Sequence, residues 1–135
     1  MLGEVIGEMR GKVTGGRVLP SEGIAPKVET SFQQSGKILG EEVTDMGTYL
    51  SVARAFGGLF GEGQGVTMTM DGEVGVWKGQ GVGRFTGHGS AVSFRGAIFY
   101  QSTSAKLARL NSIAILFEFD IDEKGNTFAK FWEWK

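Results

Sequence analysis

The chain has 135 residues, 41% of them apolar and 21% charged, which is the size and profile of one ordinary folded domain (residues 1–135) and excludes a disordered or coiled-coil chain. A formal charge of −1, with lysines and arginines scattered singly, leaves no basic patch for nucleic acid. With no cysteine and only His88, disulfide scaffolds, thiolate zinc sites, thiol nucleophiles and single-chain polyhistidine metal sites are all excluded.

Glycine is the composition's outlier, at 23 residues, about one in six against the usual ~7% share. It falls between and inside strand-like runs, where it marks tight turns, bulges and sharp bends of a sheet. A sheet bent that strongly closes on itself.

No helix of normal length can be drawn, whereas eight extended runs can, at about 4–18, 26–39, 43–56, 64–70, 73–86, 91–101, 113–121 and 127–134. The first twenty residues carry a charge every few positions and lack the apolar stretch of a signal peptide. No run reaches the ~18 apolar residues of a membrane helix. A cytoplasmic location without membrane contact is the expectation. The stretch Arg54–Gly63, rich in glycine, reads as a cover over one end of the sheet.

Asp71-Gly72, between VTMTM and EVGVW, predicts a two-residue hairpin. Pairing Met70 with Glu73 there sets Val66 opposite Trp77 and Met68 opposite Gly75. Thr86–Ser90 and Asp122–Asn126 make two more hairpin turns. Pairing Phe85 with Val92 sets Gly83 against Phe94, Gly79 against Ile98 and Trp77 against Tyr100, so that large side chains cover glycines across the strands. Ser104–Asn111, with Leu107 and Leu110 three apart, reads as a short helical turn or compact loop over a barrel end.

The predicted inner face comprises Val66, Met68, Trp77, Phe94, Ile98, Tyr100, Ile115, Phe117 and Phe119. The opposite face is not fully polar: it carries Val74, Val76, Val82, Ala97, Phe99, Ala114 and Leu116. With no helix to spare as a cover, a second copy of the chain is the expected partner, in a homodimer.

Chemical motifs are sparse. Gly79-x-Gly81-x-Gly83 has Arg84 where a dinucleotide fingerprint needs glycine, and lies in a strand, so curvature explains it. His88 sits between glycines at a hairpin tip, without a partner to orient it. No serine has a nucleophile-elbow context. Arg95 falls opposite Glu118, or Asp120 if the register shifts by two, as a cross-strand ion pair or a grip on a polar ligand.

The last strand has two solutions. A three-residue turn with Gly125 left-handed points Ala129, Phe131 and Glu133 inward. A four-residue turn points Phe128, Lys130, Trp132 and Trp134 inward. Either places one charge, Glu133 or Lys130, on the inner face, where it is costly unless paired or near an open mouth.

The glycine-rich GEGQGVTMTMDGEVGVWKGQGVGRFTG, the AVSFRGAIFY strand, the LARLN loop and the closing FEFDIDEKGN and WEWK segments together resemble small uncharacterised barrel proteins classified beside allene oxide cyclase. The resemblance implies an all-β, eight-stranded, mainly antiparallel closed barrel without a long helix, and an oligomer. It assigns no catalytic residue, since no catalytic motif matches.

Three functions fit this reading. The first is a barrel binding a small apolar or aromatic ligand, without cofactor or metal, through Trp77, Phe94, Tyr100, Phe117, Trp132, Lys130 and Glu133. The second is a cofactor-independent isomerase or cyclase using an inner carboxylate. The third is a structural oligomer with a filled core. The volume and ionisable lining of the interior discriminate among them.

Overall fold

The structure, a computed structural model, describes residues 2–135. Eight strands run in chain order: β1 (Leu2–Leu19), β2 (Lys27–Ile38), β3 (Glu41–Ala53), β4 (Leu59–Thr69), β5 (Val74–Phe85), β6 (Val92–Ser102), β7 (Ile115–Ile121) and β8 (Asn126–Trp134). Each pairs antiparallel with its neighbours, and β8 returns to β1, closing the barrel. Closure leaves no open sheet edge to pair with another chain.

The only helix among the described residues is the 3-10 turn Ala108–Ser112. With the loop before it, it plugs the end of the barrel that also carries the β2–β3 and β4–β5 turns. Leu107 and Leu110, both fully buried, are its stopper. The expected loop cover is thus present, held by Asn111, whose side chain bridges Ser102 N–H and C=O at 2.8 Å each.

From β5 onward the registers match the expectation. Trp77 pairs with Tyr100, Gly79 with Ile98, Gly83 with Phe94, and Arg95 with Glu118. The β7–β8 connection takes the three-residue turn, with Gly125 at φ 82° and Asp122 N–H bonded to Asn126 C=O at 3.0 Å. Thr127, Ala129 and Phe131 accordingly point inward and are buried.

Strand β4 departs from the expectation in two ways. It begins at Leu59, five residues early, so Gly61 and Gly63 belong to the barrel wall and not to a cover. Its faces are also reversed: Val66 and Met68 are 41% and 43% exposed, while Thr67 and Thr69 are buried. The cause is the turn. A two-residue type I′ turn needs positive φ at both central residues, but only Gly72 has it, at φ 82°. The loop is therefore Met70-Asp71-Gly72, closed by Thr69 N–H to Glu73 C=O at 2.9 Å. Val66 pairs with Val76 and Met68 with Val74. A slip of one residue turns a whole strand over.

Large side chains do lie over glycines. A Cβ on Gly79 would sit 2.3 Å from Ile98 Cγ2, and one on Gly83 would sit 2.6 Å from Phe94 Cε1. The interior is consequently shaped by rings leaning across a wall that has no side chains of its own at those points.

Candidate functional site

Along β3, Val43, Asp45, Gly47 and Tyr49 alternate with outward residues, so Asp45 points into the barrel, where it is 2% exposed. Its neighbours on β2 and β4, Gln34 and Thr67, are inward by the same register. The result is a closed hydrogen-bond network. Trp77 Nε1–H donates to Asp45 Oδ1 at 2.8 Å, Thr67 Oγ1–H donates to the same oxygen at 2.9 Å, and Gln34 Nε2–H donates to Oδ2 at 3.0 Å.

The network extends two steps further. Thr67 has one proton, given to Asp45, so Tyr100 must be the donor across its 2.7 Å contact with Thr67. Thr127 donates to Gln34 Oε1 at 3.2 Å. No buried side-chain nitrogen or oxygen among the described residues lacks a partner. Burial raises the Asp45 carboxyl above its usual range, and the bonds from Trp77, Thr67 and Gln34 only partly oppose this. Burial likewise raises the Tyr100 hydroxyl, with the Asp45 charge adding to it.

Against this network lies a cavity of about 70 Å³. By the ~10–15 Å³ needed for one water, that is room for several waters or one small organic molecule. Its walls are rings. Phe32 lies 4.9 Å from Phe119 and 6.3 Å from Trp77, centroid to centroid, and Tyr49 stands edge-on to Phe94 at 5.5 Å. Gly61, Gly63, Gly79 and Gly81 form the wall facing them, and the missing side chains there leave the space. Burial pushes the Tyr49 hydroxyl up to about 12.

Of the residues expected to line a ligand site, Trp77, Phe94, Tyr100 and Phe117 border this cavity. Trp132 and Lys130 do not. The three-residue turn before β8 sends both to the outer surface, where Lys130 lies 5.4 Å over the Trp132 ring and 3.6 Å from Glu8. Glu133 is on the inward parity but near the strand end, bonded to Arg109 of the plug at 2.6 Å. It is paired and takes no part in the cavity.

Arg95 makes an outer ion cluster, 3.6 Å from Glu118 and 3.0 Å from Asp120, so both proposed partners are engaged at once. His88 is exposed in the β5–β6 loop. The sequence reading did not single out Asp45, Gln34 or Thr67. The alternation in β3 was the available signal, but Thr44-Met46-Thr48-Leu50 reads as apolar as Val43-Asp45-Gly47-Tyr49, and a carboxylate argues for the outer face.

The fold is shared with solved structures. A protein of unknown function from Clostridium acetobutylicum is 12% identical over 98% of each chain, with a TM-score of 0.82. A conserved protein of unknown function from Rhodopseudomonas palustris is 11% identical over 98% of this chain and 97% of its own, also at 0.82. A beta-barrel like protein from Acinetobacter baumannii is 10% identical over 100% of this chain and 96% of its own, at 0.82. These likenesses place the chain among small β-barrel proteins and extend to the fold alone. No family model and no curated protein matches it.

Proposed function

We propose that the barrel interior binds one small, predominantly apolar molecule. The observation that supports it is the cavity beside Asp45, lined mainly by aromatic side chains and glycines. Gly61, Gly63, Gly79 and Gly81 make one wall of that cavity, with aromatic rings opposite.

The isomerase or cyclase reading, and the allene oxide cyclase kinship behind it, has weaker support. Oδ1 of Asp45 already accepts two hydrogen bonds, from Trp77 and Thr67, and Oδ2 accepts one from Gln34, so only one lone pair of the carboxylate is left for a substrate proton.

Toluene is a suitable neutral probe, followed by nuclear magnetic resonance of the Trp77 indole. Binding should be saturable and should be weakened by Gly61→Val, which builds into the cavity next to the Phe94 ring, 3.1 Å from the new Cβ. Perturbation of the Trp132 and Trp134 indoles without Trp77 would place toluene on the outer surface and refute the reading.

We also infer that the outer face of β3–β6 pairs with a second copy of the chain. Met46, Val66 and Val76 lie in one cross-strand row, with Met68, Val74 and Phe99 beside them, all 39% to 57% exposed. Gln33, Gln64 and Gln101 rim the patch and Lys78 is its one charge, so two copies meet without a field of like charges.

A further inference from the structure

Three features of the cavity bear on which molecules it accepts, given its reading as a binding site. First, its wall is aromatic: Phe32, Tyr49, Trp77, Phe94 and Phe119 surround one space. Ring faces carry negative potential and attract cations, most strongly where water is excluded. Second, Asp45 has no counter-charge. Its partners Trp77, Thr67 and Gln34 are neutral, and no lysine or arginine forms an ion pair with it among the described residues. Third, no lysine, arginine or histidine borders the cavity; its ionisable neighbours of low pKa type are Asp45 and Glu62, both acidic.

We propose that the cavity selects a small organic cation of the alkylated-ammonium class over a neutral molecule of the same shape. The rings supply van der Waals contact and quadrupole attraction, and the Asp45 carboxylate supplies the charge that a cation would balance. The ammonium needs no hydrogen-bond acceptor when fully alkylated, which suits a site whose buried polar atoms already have partners. A primary ammonium would bring three protons to a place where Asp45 offers one unfilled lone pair, and an organic anion would meet Asp45 without a compensating base. The carboxyl raised by burial fits the same picture: a cation beside it would draw it back toward ionisation, so binding and proton release are linked.

Choline and its uncharged isostere 3,3-dimethylbutan-1-ol test this directly, since they differ in charge and hardly in shape. On the full chain near pH 7, choline should bind about ten-fold more tightly than the alcohol, read from the Trp77 indole resonance. The Asp45→Asn variant should cut that ratio to about two-fold, the ratio being read against the alcohol's affinity for the same variant. Should that variant fold poorly, the unmodified protein gives the same answer by pH: near pH 3.5 the protonated carboxyl should forfeit most of the preference, because choline does not titrate. Equal affinities at pH 7, or a ratio indifferent to both Asp45→Asn and pH, would overturn the selectivity while toluene binding still stands. If toluene, the alcohol and choline all leave Trp77 untouched, the binding reading falls and the selectivity falls with it.

Discussion

Trp77 reaches across β4 to donate its indole N–H to Asp45 on β3 at 2.8 Å, and it can do so because Gly65 and Gly47 lie beneath it. A Cβ on Gly65 would stand 2.3 Å from Trp77 Cε2, and one on Gly47 would stand 2.8 Å from Cζ2. The bond joins two strands that are not neighbours in the sheet. Gly65 is thereby explained by the path of the Trp77 ring, and Gly47 by that ring together with Phe32, whose Cζ would stand 2.5 Å from a Cβ there.

Gly65→Ala is therefore expected to displace Trp77. The wall cannot yield without disturbing the ladder, so the ring must move and break its bond to Asp45. Overpacking of this kind costs about 1–3 kcal/mol. Chemical denaturation measures the loss, and a shift of Trp77 fluorescence reports the displaced ring. An unchanged indole resonance would show that the ring tolerates the methyl group.

Asp45 imposes a particular pH dependence on stability. Its folded-state pKa lies above the 3.8 of an unfolded aspartate, so between those values the folded chain holds more protons than the unfolded one. Stability then falls as pH rises through that window and levels off above the folded pKa. Asp45→Asn removes this contribution. The stability of the natural protein minus that of Asp45→Asn should decline from about pH 3.5 to pH 7, measured by urea unfolding at a series of pH values. A difference that grows with pH would mean that the three hydrogen bonds outweigh desolvation.

Ile98 and Gly79 form a size-matched pair across β5 and β6. Gly79→Val alone should cost about 1–3 kcal/mol by overpacking. Ile98→Ala alone should cost about 2–5 kcal/mol by leaving a cavity. The double variant should lose less than the two costs together, because the new valine occupies space the isoleucine has vacated. Strict additivity in the cycle would argue that backbone contact with Ala97 C=O, 2.9 Å from the Gly79 Cβ position, is the dominant problem.

Val76→Lys places a charge in the centre of the exposed row formed with Met46 and Val66. In light scattering at micromolar concentration the natural chain should run as a dimer and the variant as a 14.5 kDa monomer, with the β-type circular dichroism kept. A natural chain already monomeric under those conditions would remove the second copy from this face.

The barrel is legible in the sequence. Strands β5 to β7 announce their faces because Ile115, Phe117 and Phe119 recur at every second position, and Phe94, Ile98 and Tyr100 keep one parity, beside residues of different character. The inward glycines opposite them confirmed the register, since Gly79 and Gly83 accommodate Ile98 and Phe94 in the way that the pairing implied. The plug at Leu107 and Leu110 was likewise visible as the one place where the spacing changes.

The candidate site was half visible. Trp77, Phe94, Tyr100 and Phe117, which border the cavity, read as inward rings from the sequence, whereas Asp45, Gln34 and Thr67 do not read as inward, since in isolation each is the kind of residue that faces water. Composition and alternation by themselves determined the fold class, the absence of thiol and multi-histidine chemistry, and most of the inner rings. Only the tertiary structure decided the face of β4, the parity of β8 and the burial of Asp45. Strand face depends on a turn's backbone geometry, where one residue more or less reverses every side chain, and a buried carboxylate is tolerated only when donors from distant strands converge on it.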